Sequence, residues 1–483
     1  MKNARKKICV LVGKPHNKVN SQYLKGIQEQ AFKFDSDVVV FTIMDRLEES
    51  IVIDGECNLL NAINYKMFDG VIFIMESFSV QQCIFAILNE LKTKCTAKII
   101  CIGTSHESLD HVCCDNRRCF REITEHMINV HRCRKIACLT GPENNPVAIE
   151  RLEGYRDAMR DAGLDIGEND EYYGDFWKYS GAQYADLILE KGLPDAVVCG
   201  NDIMAVSLCN RLMEKGVHIP EDICVSGFDN CIEAQTNTPI ISTYSIDYHA
   251  LGAKAVCKIL SINAEIPDKS HFNGSESCGC AVKHERYQES VHGNAYILDL
   301  EESYLTSTHQ SLMLSSHNLQ DYLSSLFSLT LTFLSEKERI CIALCTDWKG
   351  NVNETGEIVF RKKGYSSDMI GILDGKPQKL FRQSELMPRE FTQSDEPRCT
   401  FINAIHFNGA CFGYMIFQRM GIIDSIPPQY LRFCQDIGIS LSFLNLQNRV
   451  KILSQYAHTS GLRDELTGVY KNESIQKHSR NAP

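Results

Sequence analysis

The sequence predicts an α/β protein over its first 260 residues, with parallel sheets covered by helices on both faces, followed by a smaller α+β unit. Three observations carry this. Short apolar runs rich in β-branched residues recur between Lys7 and Phe228; stretches with helical spacing separate them; and from Arg339 onward the order changes to strand next to strand, closed by one long helix.

The first run, Lys7 to Gly13, has five consecutive apolar residues, Ile8 to Val12. That is the length of a buried strand and too short for the apolar region of an export signal, although the basic start MKNARKK would suit one. Further strands are predicted at Asp37 to Ile43, Gly70 to Ile74, Lys98 to Gly103, Lys135 to Thr140, Asp195 to Gly200 and Ile223 to Phe228. Helices lie between them at Ser21 to Phe34, Gln81 to Lys92, Ile149 to Ala162 and Asp202 to Lys215. Near-continuous apolar strands mean burial on both faces, and in such folds ligands sit at the carboxyl ends of the strands.

Composition bounds the rest. The chain has 483 residues, 44% hydrophobic and 23% charged, with a net charge of −11, which disfavours a nonspecific phosphate-binding surface. No stretch reaches the roughly 18 apolar residues that span a bilayer, so no membrane partner is expected and the protein is read as cytoplasmic. The 22 cysteines fit a reducing compartment, where many fill strand patterns as small hydrophobes, as Cys9, Cys101, Cys138 and Cys199 do. His111, Cys113, Cys114 and Cys119 of HVCCDNRRC, and Cys278 and Cys280 of SCGC, raise a metal site. Neither group has paired C-x-x-C spacing, so a structural role is preferred; no metal and no cofactor are expected.

At the strand ends, Asn201 and Asp202 follow one buried strand and open a helix, and Asp229 follows the next strand. Such residues cap free backbone N–H groups, and they can equally face a ligand. Arg151 near a helix start offers a rigid fork of donors suited to hydroxyls or a carboxylate, or to a surface ion pair. No nucleophile elbow, phosphate-cradling glycine loop, H-E-x-x-H or dinucleotide glycine pattern occurs, so no catalytic residue is assigned and a binding role is expected over an enzyme using the same cleft.

RLEGYRDAMRDAGL from Arg151, together with PDAVVCGNDIMAVSLCNRLMEKGVHIPEDICVSGFDN from Pro194, resembles the ligand-binding core of the lac-repressor family, related to periplasmic sugar-binding proteins. The resemblance covers about Lys7 to Leu260 and implies a two-lobed, type I periplasmic-binding-protein-like sensor, residues 1–283, with crossings near 116 and 245. It implies ligand contacts at Arg151, Asn201 and Asp229, with Asp115 facing them from the other lobe and Phe176 or Trp177 of YGDFW as an apolar wall; which of the two points inward stays open. It also implies side-by-side homodimers and a small polar, sugar-like ligand. Two departures stand out. The first-lobe loop reads Asn17, Lys18, Val19, Asn20 where the family carries Asn-Pro-aromatic-aromatic, so Asn17 remains a candidate contact without an aromatic platform beside it. The first strand near Lys7 leaves no room ahead of it for a helix-turn-helix headpiece, so direct DNA binding is not expected, and a transcriptional regulator of this kind would act through other contacts.

After a connecting helical region, residues 284–334, the runs RICIALCTDW and FINAIHFNGACFGYMIF are strand-like. Asn408 and Gly409 form a two-residue hairpin signal, and a helix opened by Ile426, Pro427 and Pro428 keeps apolar residues at Leu431, Cys434, Ile437, Leu441 and Leu444. This order is similar to a GAF-type domain, residues 335–447, read as an interaction module without a ligand of its own. The last segment, residues 448–483, holds the end of this helix at about Thr459 and then DELTGVY, Asp464 to Tyr470, which resembles the opening of GGDEF-family diguanylate cyclases. The Gly-Gly-Asp/Glu-Glu-Phe turn and the rest of that domain do not follow, so this chain is expected to be a sensor and coupling unit without cyclase activity.

Overall fold

The computed structural model describes residues 5–44, 50–103, 109–281, 308, 311, 312, 315, 316, 318–330, 338–352, 358–373, 376–423 and 428–461. The DELTGVY segment and most of the connecting region 284–334 lie outside the described residues.

The first lobe is built from β1 (Lys6–Gly13), α1 (Lys18–Lys33), β2 (Ser36–Ile43), α2 (Ser50–Cys57), β3 (Gly70–Ile74), α3 (Gln81–Lys94), β4 (Lys98–Ile102) and β5 (Asp110–Val112). Its strands pair in parallel in the order β2-β1-β3-β4-β5. The chain then crosses to the second lobe: α4 (Asn116–Asn129), β6 (Ile136–Thr140), α5 (Pro146–Asp161), β7 (Glu171–Tyr173), α6 (Lys178–Lys191), β8 (Ala196–Cys199), α7 (Asp202–Glu214), β9 (Cys224–Phe228), α8 (Ile232–Thr236) and β10 (Ser242–Ser245). It returns to pack α9 (Tyr248–Leu260) on α1, and crosses a third time to lay β11 (His271–Asn273) antiparallel to β10. The apolar runs form these strands because both faces of each sheet are covered: β1 is buried from Ile8 to Gly13, and all of β3, β6 and β8 are buried.

The remaining elements are α10 (Leu319–Thr330), β12 (Glu338–Cys345), β13 (Asn351–Val352), β14 (Ile358–Val359), β15 (Asp368–Leu373), β16 (Lys376–Arg382), β17 (Arg398–Phe407), β18 (Ala410–Met420) and α11 (Pro428–Gly461). Asn408 and Gly409 turn the β17–β18 hairpin with φ of 46° and 76°, the left-handed pair that a tight two-residue turn requires. Strands β16-β15-β12-β18-β17 pair antiparallel, but this sheet does not stop at β17. β17 pairs in parallel with β2, Cys399 opposite Val38 through Asn403 opposite Thr42, so the C-terminal strands extend the first lobe's sheet to ten strands among the described residues.

The seam is buried and polar as well as apolar. The Arg398 backbone N–H donates to Asp37 at 3.1 Å, the Asn403 amide donates to the Thr42 hydroxyl, and His406 meets Glu56 at 3.2 Å. One apolar cluster holds Leu11, Phe41 and Phe73 of the first lobe together with Phe391, Ile402 and Tyr414. Among the described residues no helix is long and apolar enough to cross a membrane.

Candidate functional site

Between the lobes lies a cleft of ≈ 500 Å³. Its first-lobe wall is made by the turns after β1 and β3. Lys14, Asn17 and Asn20 follow β1; Asn17 caps α1 by accepting from Val19 N–H at 2.9 Å, and Asn20 holds the loop by donating to the Gly13 and Lys14 carbonyls. Glu76 follows β3 and accepts a hydrogen bond from the Tyr23 hydroxyl of α1. Tyr248 opens α9, the second crossing, and packs edge-on against Tyr23 at 5.1 Å between ring centres.

The second-lobe wall centres on Arg151 and Asp229. Arg151 is buried on α5, its guanidinium 3.8 Å from the Phe228 ring centre and 5.9 Å from that of Phe176. Its Nε donates to Asn116 at 3.1 Å, Nη1 donates to the Gly200 carbonyl, and Nη2 lies 3.9 Å from Asp229. Asp229 accepts from the Tyr248 hydroxyl at 3.5 Å, a contact from one lobe's loop to the crossing helix. Burial pushes the Asp229 carboxyl above its ordinary range against the opposing pull of Arg151, and burial does the same to Glu76, with Asp229 adding to it.

The loop carrying Asp229 is held by a residue read at first as a cap. Asp202 is buried and accepts from the Thr243 hydroxyl at 2.6 Å and from Cys231 N–H at 2.7 Å, which binds the turn after β9 to β10. Burial first, and the charge on Asp229 second, push Asp202 up to about 7. Gly227 makes room for it: a Cβ there would lie 2.2 Å from Asp202 Oδ1.

Of the residues expected at the ligand, Arg151, Asp229, Asn17 and Trp177 line this cleft. Trp177 stands exposed at the rim, whereas Phe176 turns behind it, its ring occupying the space that a Cβ on Gly141 would need. Asn201 and Asp115 are placed differently from expectation. The Asn201 carbonyl caps Met204 N–H at 3.0 Å and its amide donates to the Phe176 carbonyl at 2.8 Å, so it positions the aromatic loop and is not part of the cleft lining. Asp115 caps Arg118 N–H at 3.0 Å with its side chain 62% exposed, again outside the lining. The acid that faces Asp229 from the first lobe is Glu76. No motif marks it; the only signal was its position just past a buried strand, GVIFI. Cys113 and Cys114 line the cleft, and Cys114 contacts Cys119 at 3.8 Å, while His111 does not join them in a ligand cluster.

Residues 124–271 match the periplasmic binding protein-like domain family. Over 138 residues the chain is 38% identical to the HTH-type transcriptional repressor PurR of Vibrio atlanticus, covering 28% of this chain and 40% of that protein. It is 39% identical over 134 residues to the ribose operon repressor of Escherichia coli, again covering 28% and 40%, and 27% identical over 273 residues to PurR of Photobacterium profundum, covering 56% and 77%. Among solved structures, the complex of the regulator CelR with cellobiose aligns with 57% of this chain and 86% of its own, at 22% identity and a TM-score of 0.45. The matched segment spans about 40% of the length of the first two of these relatives.

Proposed function

We propose that this protein is a ligand-sensing regulator whose interlobe cleft closes on a small polar, sugar-like molecule, and whose C-terminal sheet and helix carry that closure onward. The observation that carries the reading is the pairing of Arg151 and Asp229 on one lobe with Glu76 and Tyr248 across the cleft. Acceptors on both walls and donors at Arg151 and Lys14 suit a molecule rich in hydroxyls, and Tyr23, Phe228 and Trp177 supply flat apolar surface for the face of a ring. The name of one relative, the ribose operon repressor, favours a small sugar-like metabolite as effector.

Because β17 is bonded to β2, closure of the second lobe moves it against a platform made of the first lobe and the C-terminal sheet together. α11 rests on that platform through Leu431, Cys434, Ile437, Leu441 and Leu444 and leads toward DELTGVY. Its output in this reading is a diguanylate cyclase domain of the GGDEF type, with a cytoplasmic homodimer as the working unit. A second reading, a regulator of transcription, is favoured by the names of the relatives alone.

A thermal-shift screen of sugars, polyols, nucleosides and amino acids tests the cleft. A hit is expected to raise the melting point of the wild type, and Arg151→Ala to remove that shift, since losing one partner of a buried charged hydrogen bond costs about 2–5 kcal/mol, about thirtyfold to several thousandfold in affinity. Retained binding in Arg151→Ala and in Glu76→Ala would place the site elsewhere. Salt-resistant binding of the purified chain to specific duplex DNA would favour the second reading.

A further inference from the structure

We propose that His126, His131, Cys278 and Cys280 form a zinc(II) site that clamps the end of α4 to the segment by which the chain leaves the second lobe. The four side chains come from two places about 150 residues apart, and their ligating atoms lie within 4.8 Å of one another. His126 Nε2 is 3.1 Å from His131 Nε2, 3.8 Å from Cys278 Sγ and 3.5 Å from Cys280 Sγ, and Cys280 Sγ is 3.4 Å from His131 Nε2. A tetrahedral zinc with Zn–N of about 2.05 Å and Zn–S of about 2.3 Å sets its ligand atoms roughly 3.3 Å (N to N), 3.6 Å (N to S) and 3.8 Å (S to S) apart. The four spacings that involve His126 or join Cys280 to His131 therefore agree to within about 0.2 Å, and the remaining two, Cys278 to His131 and Cys278 to Cys280, lie within 4.8 Å, so Cys278 closes in by up to about 1 Å when the metal binds.

The backbone is arranged for this. His126 lies in the last turn of α4 and His131 just beyond it, where Val130 N–H bonds back to the His126 carbonyl and Cys133 N–H to Met127. Opposite them, the N–H groups of Cys278 and Cys280 both reach the Ser275 carbonyl, and Gly279 between them has φ 89°, so one tight turn aims two thiols the same way. Ser277 anchors that turn by donating to the Val225 carbonyl of β9 at 2.7 Å. The Phe272 ring covers His126 at 4.7 Å between centres.

Two thiolates and two neutral imidazoles around Zn²⁺ sum to no net charge, which a half-buried site tolerates; binding releases the two thiol protons to solvent. Two sulfurs and two nitrogens in a tetrahedral array select zinc over the hard, oxygen-seeking cations. All four positions belong to protein side chains, which is the closed form of a structural site. The clamp lies at the point where the chain passes from β11 toward the C-terminal strands, so it fixes the exit of the sensor relative to its second lobe.

The test is metal analysis of the full chain, purified without a metal-chelating tag and under reducing conditions. About one equivalent of zinc per chain is expected. Cys278→Ser/Cys280→Ser and, separately, His126→Asn should weaken zinc binding by more than about a hundredfold, beyond the 10–100-fold typical of outer-shell changes. Cobalt(II) in place of zinc should give the intense visible bands and sulfur-to-metal charge transfer of a tetrahedral thiolate site in the wild type and in neither variant. Removal of zinc by a chelator should lower the wild-type melting point and zinc should restore it, with no response in the double variant; circular dichroism of that variant at low temperature checks that it is folded. Zinc clearly below one equivalent after reconstitution, or zinc content and cobalt spectra unchanged in both variants, would overturn the proposal.

Discussion

Asp229 has φ 103° and Asn230 φ 53°, consecutive left-handed residues of which neither is glycine. Strain of this kind, about 1–3 kcal/mol per residue, persists where the surroundings over-determine the backbone, and here Asp202 and Thr243 do so. Asp229→Gly should therefore raise the melting point, because it relieves both the φ cost and the repulsion among Asp229, Glu76 and Asp202, while it abolishes the ligand-induced shift. A variant that is less stable than the wild type would contradict the strain account. Asp202 supplies a pH signature of known sign. Its folded-state value is raised to about 7, so the folded state holds the proton more tightly than the unfolded chain does. Its contribution to stability is greatest below the ordinary carboxylate range, falls by up to about 4 kcal/mol as pH rises toward about 7, and levels off above. Asp202→Asn keeps an acceptor for Thr243 and cannot titrate, so the stability difference between wild type and variant, from denaturant unfolding at a series of pH values, should move against the wild type across that window. A flat difference would show that Asp202 is charged throughout. At this scale Asp229 stood out because strand ends in α/β folds face the cleft, and Arg151 through the family resemblance of its helix; both line the cleft. Asn201 and Asp115 cap helices outside the cleft lining; capping and ligand contact use the same residue types, and only the direction of the side chain separates them.

Helices α1 and α9 meet backbone to backbone. A Cβ on Gly26 would lie 2.0 Å from the His249 carbonyl oxygen, and one on Gly252 would lie 2.3 Å from that of Tyr23. The two glycines thus set the helix separation, and with it the edge-on contact of Tyr23 and Tyr248 at the cleft. Gly26→Leu should destabilise the protein by about 1–3 kcal/mol through forced displacement, and should weaken ligand binding by moving Tyr248; denaturant unfolding and the ligand shift read the two effects. If stability falls and affinity does not, the helix spacing does not govern the cleft. The long buried strands were the most legible elements: of the seven expected before residue 230, Gly70–Ile74 agrees to the residue and the other six to within one, whereas the short strands β5, β7, β10 and β11 were not read. α1 begins at Lys18, three residues before the predicted Ser21, because the cap is Asn17 and not the serine. The Asn408-Gly409 hairpin was readable because few dipeptides accept two left-handed residues in succession. The zinc ligands were readable only by half: Cys278 and Cys280 raised a metal site, but the two histidines lie at a helix end some 150 residues away and no local spacing links them.

The parallel pairing of β17 with β2 was equally hidden, because it joins residues 361 positions apart and a buried strand reads the same whichever neighbour it has. It has two consequences for the whole molecule. One concerns assembly. α11 buries Leu431, Cys434, Ile437, Leu441 and Leu444 on the sheet, yet Ile439, Leu446 and Val450 stand exposed at steps of seven and four, the spacing of a coiled-coil seam. Leu446→Glu/Val450→Glu should therefore turn a dimer into a monomer by light scattering at micromolar concentration, with the melting curve of the ligand site unchanged; a wild-type monomer would remove the seam. The other concerns cooperativity. A sensor and relay joined only by a linker would unfold in two steps, each at its own temperature. Here the first lobe's β2 lies between β1 and β17, its faces are buried in clusters that include C-terminal residues, and Gln28 of α1 exchanges two hydrogen bonds with Ile423 at 2.9 and 3.1 Å. Removing residues beyond 335 would expose a flat, apolar strand edge of the kind that drives aggregation. Calorimetry should therefore show the first lobe and the C-terminal sheet melting in one transition, with the second lobe coupled to it more tightly when ligand is bound. Asn403→Asp places a carboxylate against Thr42 inside the seam, and it should lower that single transition as a whole. If instead Asn403→Asp splits off a separate C-terminal transition while the ligand-responsive melt stays put, the two halves fold independently and closure is not transmitted through a shared sheet.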